Sequence, residues 1–294
     1  MVVVCVIFIP FYHKYKVYTA YEYLGKRFDL RTRSLAAGLF LFQRGLGTGL
    51  TIYAPAIILS ALLGWNINYL NIIIGLLVIV YTVTGGTKAV NVTQKQQMFV
   101  ILLGMVITFF WILYYLPNDM SFSNAMHIAG ANDKMNSVNF SFDPEEKYTF
   151  WSGITGGFFL ALAYFGTDQS QVGRYLSGKS VRESQMGLLM NGVLKVPMQF
   201  FILLTGVLVF VFFQFNPVPL NFNPNNKISV DNSPYKEEYQ ALEKKLELIS
   251  EDKKVINLLY IDQLNQDYDN PILRKEMVAL SNKEKDLRDR AKEI

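Results

Sequence analysis

MFVILLGMVITFFWILYYLP, residues 98–117, carries no charge over twenty positions. A run of that length and apolarity spans the ~30 Å hydrocarbon core of a bilayer as a helix. Strands are excluded, because no water is present there to satisfy an open backbone. Working outward, LLMNGVLKVPMQFFILLTGVLVFVFF at 188–213 repeats the pattern with Lys195 as its one charge. These two runs mark spans expected at 97–116 and 186–213, and further apolar segments are expected near 1–11, 35–63, 69–83 and 150–166. The chain therefore reads as an all-α membrane protein. Of its 294 residues 51% are hydrophobic, and the mean hydropathy is +0.20. The charges are segregated, with residues 227–294 dense in Lys, Glu and Asp, which separates an aqueous part from a bilayer part.

Loop charge sets the orientation. If the first segment enters the cytoplasm, the inside loops 12–34, 84–96 and 173–185 hold eleven basic residues, Lys88 and Lys179 among them. The outside loops 64–68 and 117–149 hold two, Lys134 and Lys147. Trp65, Tyr69, Trp111, Tyr114, Tyr115 and Trp151 at segment ends fit an interfacial aromatic belt. Basic residues at the ends of apolar runs orient spans, so the net charge of +4 gives no reason to expect a nucleic acid partner. One cysteine, Cys5, excludes an internal disulfide. The two histidines, His13 and His127, lie far apart, and no metal-ligand spacing, nucleophile elbow or phosphate loop is present, so an enzyme is not expected. Residues 1–11 lack a basic leader and a cleavage site, and are too short to span; they read as the second half of a helix, the alternative being a short anchor.

Parity places everything after 214 outside. FNPVPLNFNPNN, 215–226, begins an extended linker expected over 214–233. Residues 234–294 are expected to be a soluble helical insertion, with helices at 235–250, 252–266 and 273–292. The stretch SEDKK at 250–254 is read as a turn between the first two. Leu242, Leu246 and Ile249, then Val255, Leu258 and Leu259, are their apolar faces. Its charged surface is either solvated or a docking face for an external protein partner.

Charges at membrane depth are costly and mark function. Arg44 lies nine residues into the span starting at 35, roughly 13 Å deep. Lys195 lies nine residues past Met186, and Tyr164 nine before Gly173, at the same depth counted from the inside. Three hydrogen-bonding side chains at one level suggest a common cavity. The structural alternative is that Arg44 and Lys195 pair with a buried carboxylate or with carbonyls, or that one snorkels to the surface. GITGGFFLALAYFGTDQ, 153–169, is punctuated by Gly153, Gly156, Gly157 and Gly166 and ends in Thr167, Asp168 and Gln169. It reads as a glycine-broken helix of the kind that offers free backbone groups to a solute.

Four stretches in order, YEYLGKRF (21–28), YTVTGGTKAV (81–90), GTDQSQVGRYLSGKS (166–180) and GVLKVPMQF (192–200), resemble the signatures of the sodium/solute symporter family. That family includes sodium–glucose, sialic acid and iodide transporters. The resemblance implies a fragment of the inverted-repeat fold shared with neurotransmitter-type transporters. It covers 1–213, from the end of helix two to helix seven, with helix one and helices eight to ten absent. The gene is expected to be longer at both ends, or its reading fragmented. The principal sodium site of the family lies between helices one and eight, so no metal ligand is assigned here.

By resemblance, Tyr164 matches the tyrosine closing the inner side of the substrate site, and Phe165 its aromatic neighbour. Lys195 matches a helix-seven lysine facing the cavity, and Arg44 the helix-three arginine that meets an acidic substrate's carboxylate. Asp168, Gln169 and Arg174 match the inner end of helix six, where a gate is expected. Ala161 stands where bacterial galactose carriers have Asn, which disfavours a simple hexose. Gln94, beside Thr93, stands where an aspartate supports a second sodium, which disfavours that ion. The resemblance thus implies Na+-coupled symport of a small organic solute, here an anionic one, in a multi-pass protein of the bacterial inner membrane. The competing expectations are a membrane sensor and a truncated, inactive product.

Overall fold

The computed structural model describes every residue except 18, 119, 137, 144, 177, 179, 223 and 294; of the side chains at 87, 88, 224 and 225 nothing is described. Lys179, and the side chain of Lys88, thus lie outside the described residues. The described chain is helical and contains no strand. It divides into two compact units, residues 1–50 with 137–201 and residues 51–136 with 202–294.

In the first unit a π-helical stretch, Val4–Phe8, runs into α1, Ile9–Tyr15. Lys16, at φ 45°, ends α1 in the left-handed region. Helix α2, Ala20–Arg27, starts where the Thr19 hydroxyl accepts from the Glu22 N–H. Helix α3 is Leu30–Leu63, with Pro55 inside it. Its first twenty-one residues belong to this unit. Helix α6, Phe150–Gly166, opens on a capping box between Thr149 and Ser152. Helix α7 is Gln169–Leu176, and helix α8 is Val181–Phe215, with Pro197 inside it. The core of the unit forms around α7, where Val4, Ile9, Tyr12, Val172, Tyr175 and Leu188 are buried.

In the second unit α4, Ile67–Tyr115, is two helices in succession, Ile67–Gly86 and Ala89–Tyr115. They meet at Gly86, whose φ of 56° and ψ of −156° belong to a region only glycine visits without strain. YTVTGGTKAV therefore turns at its second glycine. Helix α5 is Phe122–Ala131, and α9, Pro224–Asp231, occupies part of the stretch expected as a linker. Helices α10, Lys236–Asn265, and α11, Pro271–Glu293, form a hairpin. Its antiparallel sense follows from the pairing of Glu238 with Arg290 and of Lys253 with Glu284.

The hairpin corrects the sequence reading in one respect. SEDKK is not a turn; α10 runs through it without interruption. The stretch holds no glycine or proline, and Glu and Lys are good helix formers. Continuing in phase with Leu242 and Leu246 brings Lys253, Asn257 and Tyr260 to the inner face, all at most 3% exposed. Val255, Leu258 and Leu259 turn outward instead. Both inner polar side chains find a partner, although the Asn257 Oδ1 is buried with none among the described residues. Lys253 donates to Glu284, and the Asn257 amide donates to the Gln214 carbonyl at 3.2 Å. The hairpin shares one core with the C-terminal ends of α4 and α8 and with α5, through Ile112, Ile128, Leu208, Val211, Tyr260 and Met277.

Four described helices are long and apolar enough to cross a membrane: Leu30–Leu63, Ile67–Gly86, Ala89–Tyr115 and Val181–Phe215. Helix α6 is equally apolar but has 17 residues, about 25 Å at 1.5 Å per residue. The protein is an all-α, multi-pass integral membrane protein.

Candidate functional site

Helix α6 does not break at Gly153, Gly156 or Gly157, which all lie inside a continuous helix. A helix accepts interior glycine at a cost of about 1 kcal/mol, and these three are in open space. The break comes at Thr167–Asp168, between α6 and α7. A helix end leaves carbonyls without intrahelical donors. Two of these carbonyls are satisfied by tyrosines. The Tyr175 hydroxyl of α7 donates to the Phe165 carbonyl at 2.7 Å, and the Tyr12 hydroxyl of α1 donates to the Gly166 carbonyl at 2.8 Å. Burial pushes the Tyr175 phenol well above its usual range, so it remains a donor at physiological pH. Gly166 is required by space, since a Cβ there would stand 2.9 Å from the Phe8 ring.

Asp168 starts α7. Its backbone carbonyl accepts from Val172 N–H at 2.9 Å, and its side chain accepts from Ser170 N–H at 2.8 Å and from the Ser170 hydroxyl. Its other carboxylate oxygen lies 4.0 Å from an Arg44 nitrogen, the outer limit of an ion pair. Gln169 accepts from the Ala20 N–H at 2.9 Å, which ties α7 to the start of α2. Tyr21, next in that turn, has its phenol raised, chiefly by burial, with Asp168 adding to it. The Tyr164 hydroxyl accepts from the Gln171 amide at 2.7 Å, so it bridges the break from α6 to α7. The Phe165 ring stands edge-on to Tyr164 at 4.9 Å.

Arg44, Tyr164, Phe165, Asp168 and Gln169 are thus gathered about the α6–α7 break, with Ala161 one turn before it on α6. A cavity of about 420 Å3 beside the break is lined by Phe165, Gln171, Arg174 and Asn191 and by other residues of α7 and α8. Arg44, Tyr164 and Lys195 do not line it. Lys195 is exposed on α8 and makes no hydrogen bond or ion pair with any described residue. Arg44 is fourteen residues from the start of α3, and Lys195 fourteen from the start of α8, roughly 21 Å along each helix. The Thr93 hydroxyl donates back to the Ala89 and Val90 carbonyls of its own helix, both at 3.0 Å, and Gln94 is exposed. Among the described residues no three His, Cys, Asp or Glu side chains are grouped as metal ligands.

The sequence reading missed Tyr12, Tyr175 and Gln171. The available signal was Tyr175 within the 166–180 motif, nine residues beyond a helix end in need of donors. Tyr175→Phe is expected to leave the Phe165 carbonyl without its partner, at a cost of about 1–3 kcal/mol. Thermal unfolding in detergent checks this, and a melting temperature equal to that of the parent would remove the tyrosine from the account of the break.

The family profile described as the sodium:solute symporter family matches residues 1–235. The sodium-coupled monocarboxylate transporter 2 of Mus musculus is 32% identical over 186 residues, 63% of this chain and 29% of that protein. The sodium/iodide cotransporter of Homo sapiens is 30% identical over 216 residues, 72% of this chain and 32% of that protein. A putative sodium-dependent multivitamin transporter of Drosophila melanogaster is 34% identical over 180 residues, 61% of this chain and 29% of that protein. The chain spans about three tenths of the length of these relatives. All three come from animals, so the expected bacterial inner membrane draws no support from them.

Proposed function

Because the chain belongs to the sodium:solute symporter family, we propose that it forms part of a carrier coupling sodium entry to uptake of a small organic anion. Residues 1–213 are the membrane bundle, 214–233 a connecting segment and 234–294 an external insertion. The basic loops 12–34, 84–96 and 173–185 face the cytoplasm. The carrying observation is the state of the two cations. Lys195 has no counterion among the described residues, and Arg44 is held to Asp168 only at 4.0 Å with its side chain 46% exposed. A pair that loose is readily exchanged. An arriving carboxylate can take Arg44 from Asp168 at the break, and Lys195, a second cation in a membrane span without a counterion among the described residues, favours an anionic solute on its way through the bilayer. Two of the three relatives above are named for anions, monocarboxylate and iodide.

In this reading sodium stabilises an outward-open state, the anion binds at the α6–α7 break, and it leaves past Tyr164. Asp168, Gln169 and Arg174 form the gate. No covalent chemistry is involved, and sodium's inward gradient supplies the work. Sodium-dependent uptake by the protein expressed from the whole gene tests the reading, with a carboxylate against its neutral amide as substrates. Equal uptake of the two, or uptake indifferent to sodium, would sink it.

Thr93 and Gln94 bear on stoichiometry. With Thr93 engaged by its own helix and a neutral amide at 94, one coupled sodium per solute is expected. Counting sodium-22 against labelled substrate checks this, and a ratio of two refutes it. A second reading, in which the insertion also docks an external protein, rests on Leu248, Val255 and Leu259, which are at least half exposed along α10.

A further inference from the structure

We propose that a cavity of about 710 Å3 at the C-terminal end of α8 binds an anionic phosphate headgroup, with an apolar wall from α8 and a basic wall from α11. The site is separate from the α6–α7 break and independent of the transported solute. Its α8 wall is Val209, Phe210 and Phe213, the last turns of a membrane-spanning helix. The facing wall carries Lys285, Arg288 and Lys292 of α11, and the turn after α5 adds Lys134.

The charges do not cancel. Five cations line the cavity against three carboxylates, Asp133, Glu284 and Asp289. Glu284 is taken by Lys253, and Asp289 by Lys292 at 2.7 Å. Lys134 stacks over the Phe210 ring at 5.1 Å, and neither it nor Lys285 is within 4.0 Å of a carboxylate among the described residues, though Lys285 acts on Asp289 at longer range. Arg288 is fixed in place. One guanidinium nitrogen donates to the Pro219 carbonyl at 2.9 Å, and another lies 3.8 Å from Glu284. The group sits over the Phe222 ring at 5.4 Å. That leaves its Nε–H buried with no acceptor among the described residues. A buried donor without a partner is costly, and phosphate oxygens are strong acceptors for a guanidinium and ammonium wall of this kind. A phospholipid presents such an oxygen at the edge of the bilayer, with its glycerol and acyl chains against Val209, Phe210 and Phe213. Free phosphate offers the same oxygens without the apolar part.

The full chain, purified in a neutral detergent, is titrated with phosphatidylglycerol, phosphatidylcholine or inorganic phosphate, and retained ligand is counted by native mass spectrometry. Phosphatidylglycerol is expected to bind at least about tenfold more tightly than phosphatidylcholine, with that preference lost in Lys285→Gln/Arg288→Gln. Binding of inorganic phosphate, lost in the same variant, supports the site and identifies free phosphate as its source. Lys285→Gln alone, which breaks no ion pair, guards against misfolding and is expected to lose part of the preference while keeping the parent melting temperature. Equal affinity for the two lipids without phosphate binding overturns the proposal, and so does a preference unchanged in both variants.

Discussion

Replacing Glu284 with Gln is expected to destabilise the α10–α11 hairpin by about 3 kcal/mol. Lys253 is 3% exposed, and its ammonium is compensated by this one carboxylate, which also stands 3.8 Å from Arg288. The amide leaves two cations facing each other without a counterion. Burying a charge costs far more than its pairing gains, so a broken pair is worse than no pair. Lys253→Met/Glu284→Leu should therefore match or exceed the parent. Amide hydrogen exchange over residues 236–293 reads the local stability directly. A loss below about 1 kcal/mol for Glu284→Gln would show that Lys253 reaches water, and the buried-pair account would fail.

The second large effect concerns uptake, and the two partners of one contact should move it in opposite directions. Arg44→Gln in the whole carrier is expected to raise the KM for a carboxylate by about tenfold or more, since a hydrogen bond to a charged group contributes about 1.5–3 kcal/mol. Asp168→Asn should lower that KM, because the anion then meets Arg44 without a competitor. It should also weaken closure, because the amide keeps one acceptor for Ser170 but loses the charge facing Arg44. A neutral analogue should be indifferent to Arg44. If both substitutions leave KM unchanged, the 4.0 Å contact is structural and substrate binds elsewhere.

The spans were legible because hydropathy alone dictates them: no other use exists for twenty uncharged residues such as 98–117. Helices within the loops were less so. α2 is short and polar enough, and α5 short enough, to pass for connections, and only their caps, Thr19 and Ser121, announce them. The phase of α10 was lost because its inner face is partly polar. Lys253 and Asn257 resemble surface residues until Glu284 and the Gln214 carbonyl, 31 and 43 positions away, are seen beside them. The same holds at the α6–α7 break. Its polar end was visible in Thr167, Asp168 and Gln169, but Tyr12 reaches Gly166 across 154 positions of sequence. Depth counting brought out Arg44 and Lys195. It could not show that Arg44 would have a carboxylate at 4.0 Å while Lys195 would have none.

Ile128 of α5, Leu208 and Val211 of α8 and Tyr260 of α10 are all at most 1% exposed within one cluster, which also holds Ile112 and Leu116 at the end of α4. Those tips cannot part without wetting that cluster, at roughly 1.5–3 kcal/mol for each large apolar side chain. In the proposed carrier the two spans are accordingly expected to move as one piece at this end. A spin label on the outward side of α10, at Leu248 or Val255, would then ride on that piece like the needle of a gauge, reporting the swing of helices buried in lipid from a position in water.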